Sequence, residues 1–228
     1  DHRDLHSFPT RRSSDLNGYG FYFQDLATSL GNEHPVYSLE TPGREGLKPL
    51  PDSVTAHASQ LIEVLHQQQT NSPYILIGYS SGCAVALEMT SQLEHLGEKV
   101  GLLAILDAGL VSHPEYLTNR ADIDWIWQLL QRIEALKGIS LGLEYADLAA
   151  QSDESARWDL AAEYLYQHNV LPEHSSLSLL KTNIKVMKKL TLNYANYQPR
   201  EPISAPIVLF RAQEVKEIVL QELQAISD

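Results

Sequence analysis

Cysteine is nearly missing from this sequence. Its 228 residues include one, Cys83, which excludes an internal disulfide and fits a reducing compartment, so a cytoplasmic location is expected. Positive charge is also scarce, with 17 Lys and Arg against 29 Asp and Glu and a net charge of -12. A protein that neutralises phosphates needs a cationic surplus, so bulk binding to nucleic acid or anionic membranes is disfavoured. No apolar run approaches the length of a bilayer span. No His, Cys and carboxylate cluster has ligand spacing, so neither a metal nor a diffusible cofactor is implied. Internal repeats and low-complexity tracts are absent as well. What remains is an ordinary composition, 43% hydrophobic and 20% charged, long enough to bury one good core.

The amino end stands apart. Residues 1–16 have neither the apolar middle of a signal peptide nor the periodicity of a strand or helix. The run from Asp4 to Leu16 resembles the translation of a sequencing-library adapter, and a natural polar arm is the alternative. Either reading keeps these residues out of the expected fold.

Beyond them, Phe21 to Leu30 has helical spacing and stops at Gly31. His34 to Leu39 reads as a strand and Pro42-Gly43 as a turn. Asp52 or Ser53 then caps a helix with Val54, Ala58, Leu61, Ile62 and Leu65 on one face. Tyr74 to Ile77 is a short apolar run of the kind a strand buried on both faces requires. A helix from about Ser81 to Leu96 closes at Gly97, and Val100 to Leu106 is another apolar strand, ending at Asp107. This alternation calls for a parallel sheet with helices on both faces.

From about His113 to Gln198 the pattern turns almost wholly helical, which reads as a cap, with Ile126, Leu129, Leu130, Ile133 and Leu136 marking one face. Joints fall at Gly138 to Gly142 and at Leu171-Pro172-Glu173. Pro199, Pro202 and Pro206 mark a return to the sheet, where Ile207 to Phe210 is expected as a late core strand. Val215 to Ile226 is open between helix and loop.

The chemistry concentrates at Gly78-Tyr79-Ser80-Ser81-Gly82. Gly-x-Ser-x-Gly is weak as a bare pattern, but here it follows a strand and opens a helix. In that context Ser80 can occupy a strained turn at the carboxyl edge of the sheet as a nucleophile. Gly78 and Gly82 avoid clashes at the turn, Ala84 and Ala86 keep the helix close to the sheet, and the Ser81 amide is placed to donate to an oxyanion. The plainer role for Ser80 is an ordinary N-cap. Cys83 reads as a small core residue. Asp107, at the end of the next strand, can reach the same edge as the acidic partner, or it simply opens a loop.

With these motifs in hand, the chain resembles the type I thioesterase domains of nonribosomal peptide synthetases and polyketide synthases. The likeness rests on Val36 to Gly43, Ser72 to Gly82, Leu87 to Gly97 and Leu103 to Asp107. In the helical insert it rests on Tyr145 to Leu148, Asn169 to Pro172 and Leu180 to Tyr194. The resemblance implies an α/β-hydrolase fold divided as a core over 17–112, a lid over 113–198 and a core return over 199–228. It also implies that Ser80 takes an acyl or peptidyl chain from a carrier-bound phosphopantetheine thioester and releases it by hydrolysis or cyclisation. The expected partner is a carrier domain, upstream in the same polypeptide. A general esterase and a non-catalytic carrier-binding module are the alternatives.

The resemblance further implies a catalytic histidine beyond the last core strand, yet no histidine follows His174. The sequence is therefore expected to be incomplete at both ends and nearly inactive by itself. His113, His168 and His174 fall in the cap segment and take no role. Asn17 to Gly20 is expected to retain the tail of a loop that gives a second oxyanion donor, or is a plain turn. Lys181, Lys185, Lys188 and Lys189 recur at helical spacing opposite Leu180, Ile184, Met187 and Tyr194. This basic stripe on an acidic chain is either a solvated face or a docking surface for an acidic carrier.

Overall fold

A computed structural model describes residues 11–12, 24–31, 36–44, 46, 48–69, 71–107, 118–171 and 177–211. Three parallel strands form the sheet that positions the site: β3 (Tyr74–Tyr79), β4 (Val100–Leu106) and β5 (Ile207–Phe210), in the order β3-β4-β5. A second parallel pair, β1 (Arg11–Arg12) and β2 (Tyr37–Ser38), contacts β3 through β1. Arg11 and Arg12 thus form a strand, in a two-stranded sheet separate from β3-β4-β5, although the sequence pattern shows no strand there and keeps these residues out of the expected fold. Backbone pairing needs only amides and carbonyls, which any side chains permit.

Helix α1 (Gln24–Leu30) ends at Gly31, whose φ of 72° is the left-handed conformation that a helix stop favours. Helix α2 (Val54–Gln68) settles its cap: Ser53 Oγ accepts from the Ala56 amide at 3.0 Å. Its predicted face is buried as a unit, and His57 is buried with it. Helix α3 (Gly82–His95) follows β3 directly, and α2 and α3 fill one face of the sheet. Tyr74 and Leu76 of β3, Leu103 and Ile105 of β4, and Ile207 and Leu209 of β5 point into that core.

The expectation of strands buried on both faces is met in the middle of β4, where the consecutive Leu103, Ala104 and Ile105 are all buried, and is not met in β3 and β5. Ile75 is 44% exposed, Val208 40% and Phe210 57%. The pleat turns alternate residues to opposite sides, and α2 and α3 cover only one of them. The late strand is therefore half core and half exposed.

Between β4 and β5 lie α4 (Asp122–Lys137), α5 (Tyr145–Ala149), α6 (Glu154–Gln167) and α7 (Ser178–Ala195). They build a separate apolar cluster around Ile126, Leu130, Leu148, Trp158 and Leu165. Gly138 and Gly142, with φ of 64° and 70°, make the joint between α4 and α5. Leu129 and Ile133 are partly buried against this cluster, and the Leu136 side chain lies outside the described residues. Also outside them are Asn17 to Gly20, Phe21 to Phe23, His34, His113, Pro172, Glu173, His174 and Val215 to Ile226. Helix α7 spans both cores, since Leu180 and Ile184 pack on the helical cluster while Tyr194 packs on the sheet core.

Candidate active site at the ends of β3 and β4

The turn from β3 into α3 is built by close backbone approach. A Cβ on Gly78 would lie 2.6 Å from Cys83 Cα and 2.9 Å from the Gly82 carbonyl oxygen, so only glycine fits. Ser80 has φ of 52°, an unfavourable conformation for a residue with a side chain. It is held there because its amide donates to the Leu106 carbonyl at 3.2 Å while its own carbonyl accepts from the Cys83 amide at 3.0 Å. Strain of this kind, costing about 1–3 kcal/mol, persists where the surroundings over-determine it and clusters at working sites. Ser80 itself is not the N-cap. That position falls to Ser81, whose side chain makes no capping bond.

Ser81 is 7% exposed, and its backbone lies at the start of a helix of 14 residues. The first amides of a helix have no partner within it and present partial positive charge. An oxyanion forming at Ser80 would meet that end of α3.

Asp107 repeats the geometry of Ser80 on the neighbouring strand. Its φ is 50°, and its amide donates to the Phe210 carbonyl at 2.8 Å. Tyr79 pairs in register with Leu106, so Ser80 and Asp107 are the residues immediately past a matched pair. The only other described non-glycine residue with positive φ is Asn169, a type that tolerates it, just past the end of α6. The Asp107 carboxylate also acts on Cys83. Burial pushes that thiol up to about 12, and the Asp107 charge adds to the rise. Cys83 is 5% exposed, with Sγ directed at the Leu106 carbonyl at 3.7 Å. A thiol so placed stays protonated and packs as a small apolar group.

The four histidines that are described do not hydrogen-bond to Ser80. His66 pairs with Glu98 at 3.0 Å and His95 with Glu201 at 2.8 Å, while His168 contacts its own helix at the Tyr164 carbonyl. His57 is the exception in kind. It is 2% exposed and shares a small cavity with Ser81. Its place at the third position after Val54, on the same face as Ala58 and Leu61, is the signal in the sequence that would have singled it out.

The lysine stripe on α7 is more engaged than helical spacing suggests. Lys188 pairs with Asp122 and Lys189 pairs with Asp52 at 2.8 Å, while Lys181 stands 5.8 Å over the Trp158 ring. Lys188 and Lys189 are adjacent in sequence and so point about 100° apart, toward α4 and toward the entrance of α2. Lys185 lines a groove of about 760 Å³ between α7 and the segment that includes Gly43, Pro49 and Leu50, and Arg44, Lys48, Lys188 and Lys189 line it as well. Among the described residues, no three His, Cys, Asp or Glu side chains are grouped to hold a metal, and no helix is long and apolar enough to cross a membrane.

Comparison with known proteins identifies the family and the fold. The family profile described as Thioesterase domain matches residues 16–147, more than half of the chain. A probable non-canonical nonribosomal peptide synthetase of Salinispora arenicola, CymA, is 38% identical over 86 residues, which is 38% of this chain and 1% of that protein. A four-domain nonribosomal peptide synthetase bound to AMP and glycine superposes with a TM-score of 0.72 at 21% identity, covering 92% of this chain and 16% of that one. The type II thioesterase BorB from the borrelidin biosynthetic cluster superposes with a TM-score of 0.64 at 16% identity, covering 99% of this chain and 83% of its own. At such identities the superpositions establish the fold, and the profile establishes the family. The chain belongs to the thioesterase-domain family, serine hydrolases of the α/β-hydrolase fold.

Proposed function

We propose that this chain supplies the chain-releasing thioesterase of a nonribosomal peptide or polyketide assembly line, with Ser80 as nucleophile. The observation that carries the reading is the matched pair of positive-φ residues, Ser80 at φ 52° and Asp107 at φ 50°, on adjacent parallel strand ends, with Ser80 in a conformation its side chain disfavours. Ser80 Oγ attacks the carbonyl of a carrier-bound phosphopantetheine thioester, and the C–S bond breaks. The hydroxyl proton passes through a histidine to the departing thiol. Water or a nucleophile within the chain then opens the acyl-Ser80 ester, giving an acid or a ring. Ser81 N–H stabilises the oxyanion in both steps. Asp107 orients the histidine, which the family resemblance places beyond β5.

No diffusible cofactor enters these steps, because the substrate arrives on its own arm. The segments 17–112 and 199–228 serve as core, and 113–198 serves as lid. A carrier domain upstream in the same polypeptide, in the cytoplasm, is the partner. The groove beside Lys185 supports docking of an acidic carrier, with Lys181, Lys188 and Lys189 on the same helix.

The test is off-loading of an acyl chain from a carrier by a protein whose chain runs on to the implied histidine. Release should vanish in Ser80→Ala, and a pantetheine thioester should be preferred over the matching oxygen ester. Equal release by Ser80→Ala, or a preference for the oxygen ester, rejects the reading.

A further inference from the structure

A cavity of about 10 Å³ lies where α2, the Ser80 turn and α7 meet. Val54, Val85 and Leu190 form apolar walls, and His57, Ser81, Asn193 and Tyr194, which carry polar side-chain groups, also line it. His57 Nε2 is buried with no hydrogen-bond partner among the described residues. A dry, unpaired ring nitrogen is costly in a protein interior. Ser81 makes no capping bond with its side chain. Asn193 commits its Nδ2 to the Pro51 carbonyl at 2.8 Å, which leaves its Oδ1 as the acceptor on that amide. Space for about one water, roughly 10–15 Å³, together with two to four polar partners is what a structural water requires.

We propose that this cavity binds one water, bonded to His57 Nε2, Ser81 Oγ and Asn193 Oδ1, and that His57 is thereby a positioning residue for the Ser80–Ser81 turn. The water bridges three elements, α2, the Ser80 turn and α7, at this point. From α2 it fixes the side chain of Ser81, and with it the direction of the Ser81 amide. From α7 it ties the helix that spans both cores to the same turn. The water site stands apart from the acyl-transfer reading, whereas its use in aligning an oxyanion donor rests on that reading.

The experiment is water-selective NOE spectroscopy on the 228-residue chain, with amide shifts read in His57→Gln and His57→Phe. Wild type should show a cross-peak between the His57 ring and a long-lived water. Gln, which keeps a polar atom, should retain the water contact at Ser81 and near-native shifts at Ser80 and Ser81. Phe, of similar shape but apolar, should lose the contact and move both amides. A wild-type protein without the cross-peak, or a Phe variant with unmoved Ser80 and Ser81 amides, overturns the proposal. If the Phe variant does not fold, the wild-type cross-peak decides alone. No outcome depends on turnover, so failure of the water site and failure of the proposed function are separable.

Discussion

Ser80 and Asp107 share a positive φ, 52° and 50°, each a single residue past the paired Tyr79 and Leu106. Ser80 is held against the preference of its side chain, and Asp107, of a type that tolerates positive φ, sits beside it at the adjacent strand end. Ordinary loop starts would relax to negative φ. The Ser80 amide bond to the Leu106 carbonyl links the two turns directly.

That turn depends on Gly78. A methyl group there would meet Cys83 Cα at 2.6 Å, backbone that cannot step aside. Gly78→Ala should cost about 2–3 kcal/mol in urea unfolding, at the upper end of overpacking effects. A change below about 0.5 kcal/mol would show the turn to be looser than described.

Cys83 gives a prediction of silence. With burial raising its thiol to about 12, it should resist iodoacetamide at neutral pH in the folded protein and react once unfolded. Rapid native labelling would contradict the packing of α3 on the sheet.

His57 sets an acid limit. Burial lowers its pKa from 6.5 to about 4, and the polar residues around its cavity, Ser81, Asn193 and Tyr194, include no carboxylate to hold a charge. Between those values the unfolded chain binds the proton that the folded chain refuses. This contribution is therefore complete above pH 6.5 and is lost as pH falls toward 4, by about 3 kcal/mol in all. Urea unfolding of wild type and His57→Gln at several pH values checks it, since the glutamine variant should lose less stability across that window.

Lys48, Lys185, Lys188 and Lys189 share one groove, and two of them also make ion pairs. Lys188 and Lys189 hold Asp122 and Asp52 and also line the groove, so reversing their charge should loosen α7 slightly as well as weaken binding of an acidic carrier. Lys48 and Lys185 line the groove, so changing both to Glu should weaken binding of an acidic carrier and leave thermal stability unchanged. Carrier titration at low and high salt reads this, because the difference should shrink as salt rises.

The sheet edge was legible because each of its signals is local. An apolar run ending in Gly78-Tyr79-Ser80-Ser81-Gly82 fixes β3, the turn and α3, and Asp107 marks the end of β4 to the residue. Burial was less legible, since Ile75 and Leu76 are equally apolar and only packing shows which one α2 and α3 cover. The partners of Lys188 and Lys189 were also hidden, lying 66 and 137 positions away. His57 was readable from its spacing, but a histidine on an apolar face declares burial and not what it meets. Pairing of Arg11–Arg12 with Tyr37–Ser38 left no mark in side-chain pattern, because it is made by backbone alone.

The central claim, that Ser80 is the acyl acceptor, is tested most directly by intact-mass analysis of Ser80→Cys after exposure to an acyl-pantetheine thioester. A thiol at this position needs less help from a base than a hydroxyl does, and the inert Cys83 serves as an internal control. The account predicts one acyl group on the cysteine variant, mapped to position 80, and none on Ser80→Ala. A folded Ser80→Cys protein that stays unmodified, or an adduct of equal yield on Ser80→Ala, would contradict it.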